Sequence, residues 1–439
     1  MDEIIVAKFG GNSLADSNQF QKVKKIVTSD KRRRYIIPSA PGKRNKEDHK
    51  ITDLLYMCHQ LASHNINIDE VFSLVENRYI EICRKLGLDL GIEEILNEIK
   101  LEIQEGASRD YTASRGEYIN GIILAKYLDF EFVDAKDLIL FNQDGRLDLE
   151  ETKRKARERL KDVEYAVIPG FYGADKDGQI VTFSRGGSDI TGSIIARAVN
   201  SILYENWTDV SGFYMADPRI VENPRSIETV SYKELRELSY MGAPVLHEES
   251  IFPIKEVGIP INIRNTNKPE EPGTMIVSDA EAIDTNHIIT GIAGKKDFTV
   301  LTIDKTNMTE EKGFIRKLAS VLESNDITIE HLPTSIDSVS VIVSSSQLDS
   351  KLDKVKEEIR IYCRPDNIEA YSNIALIAVV GRGMKNKKGT SARVFTALAN
   401  AGINIRMISQ GFRELNIIIG IENDDFEEAI KAIYDAFNK

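Results

Sequence analysis

The sequence is poor in cysteine: three thiols, Cys58, Cys83 and Cys363, stand far apart in 439 residues. An odd, scattered set excludes a disulfide framework and a cysteine-based zinc site, and fits a reducing cytoplasm. The six histidines show no metal-ligand spacing, so no resident metal site is expected. Positive charge is short as well, because 57 Lys and Arg face 69 Asp and Glu, for a net charge of −12. That balance argues against nonspecific nucleic-acid binding. Anionic substrates would have to be captured by local cations. No apolar run approaches the roughly 18 residues of a membrane span. Met1-Asp2-Glu3 lacks both the basic and the apolar region of a secretory signal, so none is expected.

Hydrophobic residues make up 42% and charged residues 29% of the chain, as in an ordinary globular protein with ample core. At roughly 150 residues per domain, the length predicts two to four domains. Residues 3–9 read as a buried strand ended by Gly10-Gly11-Asn12-Ser13, and Tyr35-Ile36-Ile37 as a second strand before a polar loop from Ser39 to Lys50. From Thr52 to Leu128 the periodicity is mostly helical. Strands at 130–133, 165–168, 202–206 and 259–263 then alternate with helices, which implies an α/β layered domain on a largely parallel sheet. Its end is placed near 280, in the polar stretch Ser278 to Asn286.

The C-terminal part contains a repeat. The segment from Gly313 to Ile329 aligns without gaps to that from Gly389 to Ile405, 76 residues later. Each copy reads as an amphipathic helix, a tight turn and a strand beginning Ile-x-Ile, then a second strand (Ser338 to Val343; Asn416 to Ile421) and another helix. This is the split βαβ, ferredoxin-like pattern.

Four groups could carry chemistry. Lys8-Phe-Gly-Gly-Asn-Ser13 sits where a strand stops and a helix should start, so glycine amides and a helix N-terminus could meet phosphate. Lysine there could bridge phosphates as a point charge. Ser184-Arg-Gly-Gly-Ser-Asp189 lies between a strand over 179–183 and a helix over 191–199; Ser188 or Asp189 could cap that helix, and Arg185 could bind a carboxylate or phosphate bidentately. Trp207 to Arg219 reads as a polar loop with turn signals at Ser-Gly and Asp-Pro, able to hold a nucleotide through Tyr214 and Arg219. Ser114-Arg-Gly-Glu117 reads as the opening of a helix, with Glu117 suited to the helix dipole.

In this order the motifs resemble the aspartate kinases of the amino-acid kinase superfamily, end to end. They are joined by Trp-Thr-Asp-Val-Ser-Gly at 207–212, Asp-Pro-Arg at 217–219 and Gly-Ala-Pro-Val-Leu-His at 242–247. The resemblance implies a three-layer α/β/α kinase domain over 1–280, followed by tandem ferredoxin-like (βαββαβ) ACT domains over 287–439. These are expected to interleave, the first over about 304–372 and the second over about 287–303 plus 373–439. It implies transfer of the γ-phosphoryl group of Mg²⁺-ATP to the side-chain carboxylate of L-aspartate. Lys8 would contact the transferring group and Asp189 would orient Lys8. Ser39, Thr52, Glu117, Arg185 and Ser188 would line the aspartate site, while Gly10, Gly11, Thr208, Asp209, Tyr214 and Arg219 would join Lys8 in holding ATP. Met308, Thr328, Ile329 and Glu330 match positions that line an effector site between ACT domains of two subunits. A homodimer or larger homo-oligomer, inhibited by lysine, is expected, with threonine or combined control as the alternatives.

The charge pattern agrees with this reading on separate grounds. An aspartate side chain, with pKa about 3.9, is already a nucleophilic anion at neutral pH and needs no general base. The barrier is bringing it to a triphosphate, so cations and backbone donors should dominate the site. Three features depart from the family pattern: Asn12 replaces a usual threonine, residues 43–50 form an extra polar stretch expected to be a longer surface loop or lid, and Pro244 replaces an ATP-contacting lysine. Two rival readings follow: a kinase for another small carboxylate such as glutamate, and a catalytically silent amino-acid sensor.

Overall fold

The computed structural model describes residues 3–184, 186–242, 248–278, 287–385, 387–411 and 415–438. Arg185, Pro244 and the proposed domain boundary near 280 lie outside the described residues. The chain divides into two compact units: one holds residues up to Phe213, 226–233 and the stretch around 248–278, and the other holds Tyr214–Arg225, the segment from Glu234 and the C-terminal part. The division is therefore discontinuous, unlike a single cut near 280. Met215 O accepts the Ile292 amide (2.6 Å), and the Arg225 amide donates to Tyr434 Oη (3.0 Å), which ties Tyr214–Arg225 into the C-terminal unit.

In the first unit the strands are β1 (Ile5–Phe9), β2 (Arg33–Pro38), β3 (Glu131–Phe132), β4 (Ala166–Val167), β5 (Tyr172–Ala174), β6 (Ile180–Thr182) and β7 (Leu203–Thr208). Two short strands, β8 (Phe213–Tyr214) and β9 (Ser226–Ile227), precede β10 (Thr229–Ser231), β11 (Ile261–Asn265) and β12 (Thr274–Val277). The helices are α1 (Ser17–Thr28), α2 (Ile51–Ser63), α3 (Asp69–Leu86), α4 (Ile92–Gln104), α5 (Arg109–Leu128), α6 (Leu149–Leu160) and α7 (Gly187–Ala198). The main sheet runs β10-β12-β11-β7-β1-β2-β4-β3, and β11–β12 is an antiparallel pair. All five residues of β1 are buried, because helices cover both faces. Ala7 and Phe9 join the core formed with α1 to α5. Lys8, one residue out of phase, points to the opposite face, where α7 lies. The expected strand at 179–183 forms β6, but it pairs only with β5 as a separate hairpin.

β1 lies between β2 and β7, both parallel to it. Crossovers thus leave the central strand in both directions, and ligands of such sheets bind at the carboxyl ends of the strands at that switch point. Beneath it is a buried charge. Glu205, 2% exposed on β7, accepts Arg33 Nε (2.7 Å) and Nη2 (3.0 Å) from β2 and the Trp207 indole N–H (2.8 Å). Arg33 Nη1 also donates to Ile26 O at the end of α1 (2.6 Å), and Arg264 stacks on Trp207, 4.5 Å from its ring centre.

The second unit holds α8 from Glu234 onward (Tyr232–Tyr240), while α9 (Glu248–Lys255) belongs to the first. One antiparallel sheet follows, ordered β14-β13-β15-β17-β16, from β13 (Gly291–Asp304), β14 (Ser338–Ser344), β15 (Asn367–Val380), β16 (Met407–Ser409) and β17 (Asn416–Glu422). Helices α10 (Phe314–Ser324), α11 (Ser345–Leu348) and α12 (Leu352–Cys363) serve one core with Leu301, Ile303 and Val341; α13 (Thr390–Asn400) and α14 (Phe426–Asn438) serve another with Ile377, Val379 and Ile419. Strands β13 and β15 each cross both cores, and the register slips near Asp297, whose φ is +68°. Leu301 and Ile303 therefore belong with the first core rather than the second. The repeat's shared glycines, Gly313 and Gly389, are the N-caps of α10 and α13 at φ +83° and +87°, a conformation that penalises any Cβ. The Ile-x-Ile strands are not formed as read: Ile327 and Ile403 turn into the cores, and pairing starts later, at an isolated bridge from His331 and at Met407.

Replacing Glu205 by alanine strands the buried Arg33 guanidinium and the Trp207 indole N–H. The variant is expected to lose about 3–5 kcal/mol in urea unfolding; a loss below about 1 kcal/mol would show that the pair does not hold the sheet together.

Candidate active site

The carboxyl ends of β1, β2 and β7 open into a cleft of about 300 Å³. It brings together Gly10 and Gly11 after β1, Ser39 after β2, Thr52 on α2, Glu117 on α5, and Thr208 and Asp209 at the end of β7. Gly10 continues the β-ladder, its amide donating to Trp207 O (2.9 Å), so that N–H is not free for a phosphate as expected. Nor does an α-helix start at once: a 3₁₀ turn covers Gly11–Leu14, and α1 begins behind Asp16, whose carboxylate caps the Asn18 and Gln19 amides. Gly11 is needed for close approach. A Cβ there would stand 2.8 Å from Ala40 O, and the Gly42 amide donates to Gly11 O (2.8 Å). Asn12, in place of threonine, donates to Asp209 Oδ2 (2.8 Å), and Thr208 Oγ1 donates to Asp209 Oδ1 (3.2 Å).

Lys8 is 7% exposed, and its Nζ lies 2.5 Å from Asp189 Oδ1. Asp189 does not cap α7, and neither does Ser188. The helix begins four residues before the expected Thr191, behind the left-handed Gly186, so both residues already stand in its first turn. Ser188 is buried, and Asp189 faces the sheet, where Asn206 Nδ2 also donates to it (2.9 Å). Asn206 sits directly beside Lys8 in the β1–β7 register and was missed in the sequence. Its signal was an amide in the strand that leads into Trp207-Thr208-Asp209.

Glu117 does not open a helix. Ser108 caps α5 through the Tyr111 amide, which leaves Glu117 in mid-helix and removes the dipole argument. It is fully buried, and its Oε2 has no hydrogen-bond partner. Burial pushes its carboxyl up to about 8, against the downward pull of backbone hydrogen bonds at Ala40 and Glu117 and of the Arg115 charge. Asn120, three residues on and so on the same helical face, donates to Ser39 O (2.6 Å) and leaves its own buried Oδ1 unpaired. Two orphaned acceptors beside Ser39 suit a ligand that brings N–H donors.

Other expected site residues lie in the second unit. Tyr214 is 37% exposed, and Arg219 is paired at the surface with Asp217 (2.5 Å). Met308 is a core residue, 4% exposed, and Ile329, partly buried, packs on the same core. The Thr328 amide donates to Gln347 Oε1 (2.7 Å), and Glu330 Oε2 accepts Tyr240 Oη (2.5 Å).

Because the native Glu117 holds its proton, stability is unaffected below the ordinary carboxylate value of 4.5. It falls as pH rises from there to about 8, and the full penalty applies above. Glu117→Gln should therefore gain on the parent chain by on the order of 3–4 kcal/mol between pH 5 and pH 8 in urea unfolding. An equal gap at both pH values would contradict a proton-holding Glu117.

Comparison with known proteins places this chain in a family. The amino acid kinase family profile matches residues 3–265, and an ACT domain profile matches 377–437. Aspartokinase 3 of Bacillus subtilis is 38% identical over 98% of both chains. The crystal structure of Clostridium acetobutylicum aspartate kinase is 56% identical with a TM-score of 0.93, covering 99% of this chain and 100% of that one. Escherichia coli aspartokinase III, solved with aspartate and ADP, is 25% identical with a TM-score of 0.74 over the whole of both chains. It has also been solved with lysine and aspartate. This chain belongs to the aspartate kinases of the amino acid kinase family.

Proposed function

We propose that the cleft at the ends of β1, β2 and β7 binds L-aspartate through Glu117 and carries out its phosphorylation by ATP. The observation that carries this is the buried Glu117 carboxyl, whose Oε2 has no partner, in a cleft that also holds the Gly10–Gly11 turn. A free α-ammonium would give Glu117 the cation it lacks and draw off its proton, which an acetylated amine could not do. Ser39, Thr52 and Ser188 line the acceptor's side, and Arg185 takes one of its carboxylates bidentately. The side-chain carboxylate attacks the γ-phosphorus as an anion, the bond from that phosphorus to the bridging oxygen breaks, and ADP leaves. No proton has to be removed from the nucleophile. Lys8, oriented by Asp189, stabilises the charge on the transferring group. Gly11, Thr208 and Asp209 stand on the nucleotide's side of the cleft.

Magnesium fits this arrangement as an ion carried by ATP. Among the described residues no three acidic, histidine or cysteine side chains gather to hold a metal, while Asp209 supplies one carboxylate at the cleft. Such sites use one or two carboxylates plus substrate phosphates. When bound, the ion would neutralise phosphate charge.

The C-terminal pair of ACT modules, residues 287–439, would carry feedback control and join subunits into a homodimer or larger assembly. Escherichia coli lysine-sensitive aspartokinase 3 is 25% identical over 99% of both chains, which supports lysine as the effector. Glu330 would pair with its side-chain ammonium, with Thr328 alongside. Among the described residues no helix is long and apolar enough to cross a membrane. All three cysteines are buried free thiols, in keeping with a cytoplasmic enzyme.

The test is ADP release with Mg²⁺-ATP and a panel of acidic amino acids, trapping the acyl phosphate with hydroxylamine. Aspartate should be the best acceptor; faster turnover of glutamate would overturn the assignment. Arg185→Ala should raise the KM for aspartate more than that for ATP, and equal effects would refute its role. Lysine should inhibit, and Glu330→Ala should raise the half-inhibiting concentration by about tenfold or more; an unmoved inhibition curve would remove Glu330 from the effector site.

A further inference from the structure

A second cleft, of about 410 Å³, opens on the first unit. It lies among the turn from Glu105 to Ser108, the first turns of α5, Lys136 and the end of the β5–β6 turn at Gly178–Gln179. None of the residues lining it lines the active cleft. Arg115 stands in its wall, two residues before Glu117 on α5. A step of two residues turns roughly 200° around a helix, so the two side chains leave α5 on opposite faces. The phosphoryl transfer proposed for the active cleft uses Glu117 and gives Arg115 no part.

Arg115 is only 6% exposed. Tyr111 and Tyr118, four residues before it and three after, share its face of α5, and each puts a ring centre 4.3 Å from its Cζ; Tyr172 of β5 adds a third ring at 5.6 Å. Nε (3.1 Å) and Nη2 (2.9 Å) both donate to Ser114 Oγ, whose own proton goes to Tyr111 O (2.7 Å). Among the described residues the guanidinium makes no ion pair and no further hydrogen bond, so Nη1 has no acceptor. Asp134 is engaged elsewhere: it accepts Tyr172 Oη (2.7 Å) and lies 3.7 Å from Lys136 Nζ. Aromatic rings attract a cation but give its N–H groups nothing to bond. A buried charge is ordinarily paired as well. This one faces an open cleft, and the group that completes it is an anion. A planar carboxylate matches the edge of a guanidinium. Glu102, which accepts Tyr111 Oη, and Glu105 line the same cleft and would repel a polyanion.

We infer that the cleft beside Arg115 is a second ligand site of the first unit, and that it takes a small organic monocarboxylate, held at the free Nη1 edge of Arg115 with Lys136 as the outer cation. The site is independent of which acid the active cleft phosphorylates. Its ligand is a monoanion, small enough for the cleft, and distinct in charge from the triphosphate that the active cleft handles.

The experiment is saturation-transfer NMR on the full chain with propionate as the probe, irradiating aromatic protons, in the presence of saturating aspartate and ADP so that the active cleft is filled. Propionate should receive saturation from the tyrosine rings, while propionamide, its uncharged analogue, should receive almost none. Arg115→Met should weaken propionate binding by about tenfold or more, with Arg115→Lys intermediate. Lys136→Glu changes an exposed residue and keeps the test open if the Arg115 variants fail to fold by circular dichroism; it should weaken propionate by about threefold or more. Inorganic phosphate should bind more weakly than propionate in the parent chain. Absence of transfer to propionate would overturn the site, as would transfer that survives both Lys136→Glu and a folded Arg115→Met. Equal transfer to propionamide would reduce the cleft to an apolar one, and tighter binding of phosphate would overturn the carboxylate assignment.

Discussion

A buried ammonium opposite a half-buried carboxylate is the constraint around which the first unit is arranged. At 7% exposure the Lys8 side chain is matched by Asp189, 2.5 Å away, and Asn206 stands beside both. Three separate elements must meet to supply these groups: the central strand, its parallel neighbour β7 and the first turn of α7. Each is fixed by apolar packing that leaves little freedom, since β1 is buried on both faces and α7 begins behind a left-handed glycine. The Glu205 cluster on the opposite face of the sheet performs a similar service for β2 and β7. Charged groups thus fix register on both faces of one sheet, and the cleft opens at its rim.

The cleft also contains a cost that the fold does not offset by itself. Glu117 is buried with an oxygen unpaired, and Asn120 repeats the pattern one turn later. Buried acceptors without donors are expensive, so they mark where a ligand's donors complete the structure. An acceptor amino acid meets that need with the group that distinguishes it from other carboxylic acids. The chemistry itself asks little of the protein beyond positioning and charge, which explains why a cleft without a general base suffices.

Much of this was legible in the sequence, for identifiable reasons. The strand–helix alternation gave the layered domain because fully buried parallel strands read as apolar runs. The repeat was visible because its glycines occupy left-handed caps that few other residues tolerate. Boundaries were less legible. Ser114-Arg-Gly-Glu117 looked like a helix start because the real cap, Ser108, is followed by polar residues that conceal the periodicity. Ser188 and Asp189 looked like caps because cap chemistry and ion-pair chemistry use the same side chains. Asn206 escaped notice because its importance comes from strand register, which is not encoded locally.

The two 14-residue strands that cross both C-terminal cores have a consequence for how the chain folds. The second half of β13 can pair with β14 soon after both are made. The first half, Gly291–Lys295, must wait for Leu376 to Val380, some eighty residues downstream. Until then half of one strand is an unpatched edge while the other half is already locked into a sheet. Closing that long loop is entropically slow, so the last module is completed only near the end of synthesis, and the nascent first module serves as its template.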